Sequence, residues 1–295
     1  MKTKQILKKV KKIEVKTNHI VDNLIYGAYN SVFKGRGIEF SEVREYQIDD
    51  DPRSIDWNVT ARMNHPYVKE YIEERDLTIL IVFDISGSSD FGTQLALKKD
   101  IGIELSASLA FSAQRSNDRV GLFLTTNKVE KYLPPRKGRK YILRVIREMI
   151  YFTPRERTTN LGVPLEFINK VIKKKSIIFI ISDFQDSMDN FKKPLRVLRN
   201  KHDVVAVRLW DLRELEMPDI GLVELEDEET GEQILVDTSD PEFRKNYSKL
   251  VELQRNELKS FMNQQKIDLV DISTSEDWTI PLIKFFKKRE RYKLI

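Results

Sequence analysis

Leu77-Thr78-Ile79-Leu80-Ile81-Val82-Phe83 runs directly into Asp84-Ile85-Ser86-Gly87-Ser88. The first part is apolar on both faces of an extended chain, which is what a central strand of a parallel sheet requires, because helices cover it from both sides. It is far shorter than the ~20 residues that span a bilayer. The second part sets a carboxylate and two hydroxyls on alternate residues, with Gly87 freeing the turn. Ligands of open α/β sheets bind just outside the carboxyl ends of strands, so this one stretch points both to a fold and to a place for a site.

Downstream, apolar runs alternate with helix-period segments. Residues 96–112 read as a helix, 120–124 as a strand, 129–133 as a short returning hairpin strand, and 141–152 and 161–173 as helices. A second doubly apolar strand lies at 176–181, followed by a helix at 191–199 and a strand at 203–210. Segments 222–226 and 233–236, joined around Thr230-Gly231, read as a β-hairpin. A long helix at 241–264, a last strand at 267–272 and a helix at 280–286 complete the pattern.

Upstream the texture changes. Ile6, Leu7, Val10 and Ile13, then Ile20, Val21, Leu24 and Ile25, recur at three- and four-residue spacing and predict one or two amphipathic helices with basic polar faces. Residues 35–76 carry short alternating pieces, Ile38-Glu39-Phe40 and Val43-Arg44-Glu45-Tyr46, an acidic turn Asp49-Asp50-Asp51-Pro52, and Trp57. The expected fold is α/β: a Rossmann-like, mostly parallel sheet flanked by helices over 77–295, with a hairpin insertion at about 220–237 and a helical and β-rich attachment at 1–76. Arg44, Asp50, Asp51, Asp56, Trp57 and Arg62 of the attachment read as a recognition surface or, with more weight, as an ion-paired network clamping it to the larger domain.

Composition removes several classes of function. With 40% hydrophobic and 33% charged residues the chain has a buried core under a surface of both charge signs, which argues against disorder. The net charge of +5 arises from 51 basic and 46 acidic residues, too slight an excess to imply a nucleic-acid partner. Without cysteine there is no disulfide scaffold, thiolate nucleophile or cysteine zinc site, and His19, His65 and His202 lack zinc-like spacing. Residues 1–16 contain lysines but no apolar stretch, so no secretory signal is read and a cytoplasmic protein is expected, with membrane contact limited to peripheral association. Lys8, Lys9, Lys11 and Lys12 read as a solvated helix face. Arg136, Lys137, Arg139 and Lys140 surround Gly138 but lack the full phosphate-binding loop, so nucleotide binding is not expected.

Two more polar signals accompany the first: Asp183, ending the strand at 176–182, and Thr158-Thr159-Asn160, just before the helix at 161. Two carboxylates and three hydroxyls suit a small hard cation such as Mg²⁺ and leave a coordination position open. Each signal alone has a plainer reading, since Ser and Thr cap helices and Asp ends strands. Their order, Asp-x-Ser-x-Ser, then Thr-Asn-Leu, then Ser-Asp, resembles the metal-ion-dependent adhesion site of von Willebrand factor A domains. That resemblance implies that Asp84, Ser86, Ser88, Thr159 and Asp183 hold Mg²⁺ or Mn²⁺, with Thr158 as the register alternative to Thr159, and that an Asp or Glu carboxylate of a partner protein completes the shell.

A wider resemblance covers nearly the whole chain. Gly35-Arg36-Gly37-Ile38-Glu39-Phe40, Arg44-Glu45-Tyr46, Asp50-Asp51, Ser54-Ile55-Asp56-Trp57, Val68-Lys69-Glu70-Tyr71, Asn117-Asp118-Arg119-Val120-Gly121-Leu122 and His202-Asp203-Val204-Val205-Ala206-Val207 look like bacterial domain-of-unknown-function 58 proteins. The resemblance implies a protein working beside a MoxR-type AAA+ ATPase in chaperone-like maturation of other proteins. Asp49 and Ser89 depart from the family's common Gly and Met, but neither is a proposed ligand. An enzyme is not expected: Ser86 stands where a phosphotransferase carries its second aspartate, and no Gly-x-Ser-x-Gly elbow occurs. The competing readings are a metal-dependent phosphohydrolase and a metal-free structural scaffold.

Overall fold

Two helices lead the chain, α1 (Thr3–Ile20) and α2 (Tyr26–Phe33). A small unit follows, with strand β1 (Glu39–Glu45), helix α3 (Trp57–Met63) and strand β2 (Tyr67–Ile72), the two strands pairing antiparallel. The main sheet opens with β3 (Thr78–Asp84) and continues through α4 (Lys98–Arg115), β4 (Arg119–Thr125), β5 (Val129–Arg136), α5 (Arg139–Tyr151) and α6 (Gly162–Val171). Next come β6 (Ile177–Ser182), α7 (Met188–Lys201) and β7 (Asp203–Trp210), then the hairpin β8 (Leu222–Glu226) and β9 (Gln233–Asp237). Helix α8 (Pro241–Gln264), strand β10 (Asp268–Ser273) and helix α9 (Thr279–Lys293) close the fold. This computed structural model describes residues 3–21, 25–33, 39–72, 76–90, 92, 97–156, 158–226 and 233–293. The Thr230-Gly231 turn and Gly35 to Ile38, both singled out in the sequence, lie outside the described residues.

The six-stranded sheet has the order β10-β7-β6-β3-β4-β5, parallel throughout except for the antiparallel edge strand β5. This is the mostly parallel α/β sheet that the sequence predicts. Successive side chains of a strand face opposite sides, and β3 shows the result: Ile79, Ile81 and Phe83 join one core, Leu80 and Val82 the other. The first core is closed by α1, α2, α4, α5 and α9, and the second by α6, α7 and α8. Each fully buried aliphatic side chain contributes roughly 1.5–3 kcal/mol, which makes the two-sided strands β3 and β6 the rigid base of whatever stands at their ends.

One close approach matters for the site. A Cβ on Gly102 of α4 would fall 2.4 Å from Cε2 of Phe83, so only glycine lets the helix lie this near β3. Lys98, one turn earlier on the same face, is thereby carried over the carboxyl end of the sheet.

Helices α1 and α2 differ from the grouping read in the sequence, which placed residues 1–76 together. Val10, Val21, Ile25, Tyr29 and Val32 belong to the same core as Phe83, because their apolar stripe completes the face formed by α4, α5 and α9. The Tyr29 hydroxyl donates to buried Asp118 at 2.8 Å, and Lys16 pairs with Glu104 of α4. Lys8, Lys11 and Lys12 are exposed.

The β1–α3–β2 unit contains a helix that was not anticipated. Asp56 caps it through the N–H groups of Asn58 and Val59, and Asn64 ends it in the left-handed region at φ 59°. Of the acidic motif residues, Asp50 and Asp51 are engaged inside the unit. Arg44 donates to both oxygens of Asp50 (2.6 and 2.7 Å), Asp51 caps the turn Pro52–Ser54, and Trp57 is 69% exposed. These short acidic side chains brace local loops, and Asp76, just before β3, pairs with Lys137 and Arg119 of the main domain. Among the described residues no helix is long and apolar enough to cross a membrane.

Candidate functional site

Strand β3 delivers Asp84 to the sheet's carboxyl end, where the Ile85 N–H, bonded to the Thr125 carbonyl at 2.9 Å, keeps the departing chain beside β4. The turn Gly87–Asp90 then folds back, with the Ser89 N–H donating to the Ser86 carbonyl at 3.1 Å. Asp84 Oδ1 accepts from the Ser86 N–H (3.0 Å), and Oδ2 accepts from the Ser182 hydroxyl (2.7 Å). The Ser86 and Ser88 hydroxyls stand 3.2 Å apart. Asp84 is buried, and no described Lys, Arg or His forms an ion pair with it. Burial, and then the neighbouring Asp183 carboxylate, push its carboxyl up to about 6, against the hydrogen bonds that favour ionisation.

The equivalent end of β6 differs. Ser182 accepts from the Phe184 N–H at 3.1 Å while donating to Asp84, so one hydroxyl joins the two strand ends. Phe184 holds φ at 56°, a conformation uncommon for a bulky residue and found where a site fixes the backbone. Asp183 Oδ2 accepts from the Lys98 ammonium at 2.9 Å, and the same ammonium meets Glu214, on the turn after β7. Lys98 is only 2% exposed. Burial alone would lower its pKa, but the Asp183 and Glu214 carboxylates reverse that and hold it above the usual lysine value. For Glu214 burial dominates and pushes the carboxyl up despite Lys98.

The residues of the threonine loop have separate partners. Asn160 Oδ1 accepts from the Gly162 and Val163 N–H groups at 3.0 and 3.3 Å, so it, and neither threonine, caps α6. The Thr158 hydroxyl accepts from Asn127 Nδ2 at 2.8 Å, which turns it toward the β4–β5 connection. Asp186 accepts from the Leu161 N–H at 2.8 Å and so ties this loop to the one that follows Asp183. Thr159 is thus held on a loop braced beside the site, although it does not line the pocket that Asp84, Ser88, Ser89, Lys98, Ser182 and Asp183 share.

That pocket measures about 10 Å³, room for about one water-sized particle. Among the described residues no group of three or more His, Cys, Asp and Glu side chains is placed to hold a metal ion by itself, so a cation here must draw on hydroxyls as well as on carboxylates. The donor set passes that test. All the donors are oxygens, as Mg²⁺ and Mn²⁺ prefer, and Asp84 is a buried carboxylate that forms no ion pair with a cation among the described residues. Beyond Asp183 a wider groove of about 580 Å³ opens between α7 and α8, lined in part by Arg208, Trp210, Tyr247 and Arg255.

Lys98, Ser182 and Glu214 were missed in the sequence. Lys98 had a signal, since it stands three and seven residues before the buried Ile101 and Leu105, within the apolar stripe of α4. Ser182 sat inside the quoted Ser-Asp pair, and Glu214 had no local signal at all.

Comparison with known proteins gives the chain its relatives. It is 30% identical over 282 residues to the uncharacterized protein Rv1480 of Mycobacterium tuberculosis, covering 95% of this chain and 88% of that one. Among solved structures it is similar to the conserved hypothetical protein BatB from Bacteroides thetaiotaomicron, at 13% identity and a TM-score of 0.46, covering 73% of this chain and 99% of that chain. It is also similar to the SpRpn10 VWA domain, at 11% identity and a TM-score of 0.41, covering 71% and 94%. The family model described as "Protein of unknown function DUF58" matches residues 42–257, most of the sheet and all of the site, and the chain belongs to that family.

Proposed function

We propose that the chain is a non-enzymatic, metal-dependent protein-binding module of the von Willebrand factor A type. Asp84, Ser86, Ser88, Thr159 and Asp183 would hold Mg²⁺ or Mn²⁺. Bound there, the cation would supply an oxygen-seeking position for an Asp or Glu carboxylate of a partner protein. The observation that carries this reading is Asp84, a buried carboxylate flanked by hydroxyls and, among the described residues, without a cationic partner. The groove beside Asp183 leaves space for a partner segment next to the cation position. By family resemblance the partner is a MoxR-type AAA+ ATPase, and the work is chaperone-like maturation of other proteins in the cytoplasm.

Capture of proteins from host extract tests it, with Mg²⁺ against chelator and with wild type against Asp84→Ala. Partners lost under both changes support the reading, and partners indifferent to both overturn it. One observation favours the second reading, a phosphohydrolase: a carboxyl near 6 suits proton transfer. A phosphoester screen with Mg²⁺ and Mn²⁺ distinguishes the two, since only the enzyme turns substrate over.

A further inference from the structure

A buried lysine beside a cation-binding carboxylate is the opposite of what a dedicated divalent-metal pocket needs, since like charges in a poorly screened space repel. The Lys98 ammonium donates to Asp183 Oδ2 at 2.9 Å and lines the same pocket as Asp84 and Ser88. With room for about one water-sized particle, that pocket cannot serve two positive charges on equal terms. Lys98 has a second anchor in Glu214. Glu214 is itself fixed, its carboxylate accepting from the Asp211 N–H at 3.1 Å and its carbonyl from the Tyr247 hydroxyl at 3.0 Å. One carboxylate therefore belongs to the cation site, and the other stands ready to keep the ammonium when the first is needed elsewhere.

We propose that Lys98 is a built-in competitor for the cation site: its ammonium neutralises Asp183 while no metal is bound and withdraws onto Glu214 when a divalent ion enters. The inference rests on the metal reading above and adds regulation from within the chain. Lys98 is then a positioning residue that sets affinity by claiming one ligand. Removing its charge tightens metal binding. Removing the Glu214 charge weakens it, because the ammonium loses that anchor and holds Asp183 more firmly, and that effect disappears once Lys98 is gone.

Calorimetric titration of the full chain with Mn²⁺ tests this on wild type, Lys98→Met, Lys98→Arg, Glu214→Gln and the Lys98→Met/Glu214→Gln double variant, each checked for folding by circular dichroism. Lys98→Met should bind about tenfold tighter or more, Lys98→Arg close to wild type, and Glu214→Gln at least about threefold weaker, with the double variant matching Lys98→Met. If Lys98→Met does not fold, Glu214→Gln decides, and wild-type affinity there overturns the inference. Wild type that binds Mn²⁺ no more weakly than Lys98→Met overturns the inference and leaves the metal reading standing. Binding by Lys98→Met but not by wild type upholds the competitor and removes metal dependence from the native chain. No binding by either overturns both.

Discussion

Asp84 and Asp183 stand at the ends of neighbouring parallel strands, with Asp84 bonded to the Ser182 hydroxyl and Asp183 next along the chain, yet their electrostatic settings are opposite. Asp84 is surrounded by neutral donors and is pushed up by burial, whereas Asp183 lies against a buried ammonium. The difference shows that one half of the site carries its own counter-charge and the other half does not. A cation therefore has most to gain at Asp84, while Asp183 must be drawn away from Lys98.

The comparison is broken most strongly at Lys98. Lys98→Met leaves Asp183 and Glu214 buried without their cation, and removing one partner of a buried pair costs about 3–5 kcal/mol. Urea denaturation without divalent ions should show that loss, and an unchanged midpoint would mean that the pair is not buried as described. Asp84→Asn should act in the opposite direction. Its folded carboxyl is raised from 3.8 to about 6, so wild-type stability is full near the lower value and declines as pH rises through about 6. The Asn variant lacks that decline and should be more stable at neutral pH by on the order of 3 kcal/mol in metal-free buffer. Denaturation at acid and neutral pH measures both the sign and the window.

Smaller changes sharpen the picture. Ser182→Ala removes the hydroxyl between the Asp84 carboxylate and the Phe184 N–H and should cost about 1–2 kcal/mol. Combined with Asp84→Asn the two effects should not add, because the two residues share one bond. The threonines give the finest contrast: Thr159→Ala should weaken Mn²⁺ binding by roughly tenfold, whereas Thr158→Ala, which disturbs only the Asn127 contact, should leave it unchanged. The opposite pattern, loss with Thr158→Ala and none with Thr159→Ala, would reverse the register.

Strands β3 and β6 were legible because two-sided burial leaves an unbroken apolar run, and Asp84, Ser86 and Ser88 follow the first run within a few residues. The charge partners were not, because periodicity reports which face is buried but not which chain segment covers it. Glu214 reaches Lys98 across 116 residues, a pairing no local pattern contains. The same limit explains α1 and α2, whose apolar stripe was visible although its destination in the main core was not. Helix α3, only seven residues long, has too few turns for a period to show.

The central claim is that Asp84 anchors a divalent cation, and calorimetric titration of Mn²⁺ into wild type and Asp84→Ala tests it most directly. The account predicts saturable binding at a single site per chain in wild type and none in the variant. An identical titration in both, or no binding in wild type, would contradict it.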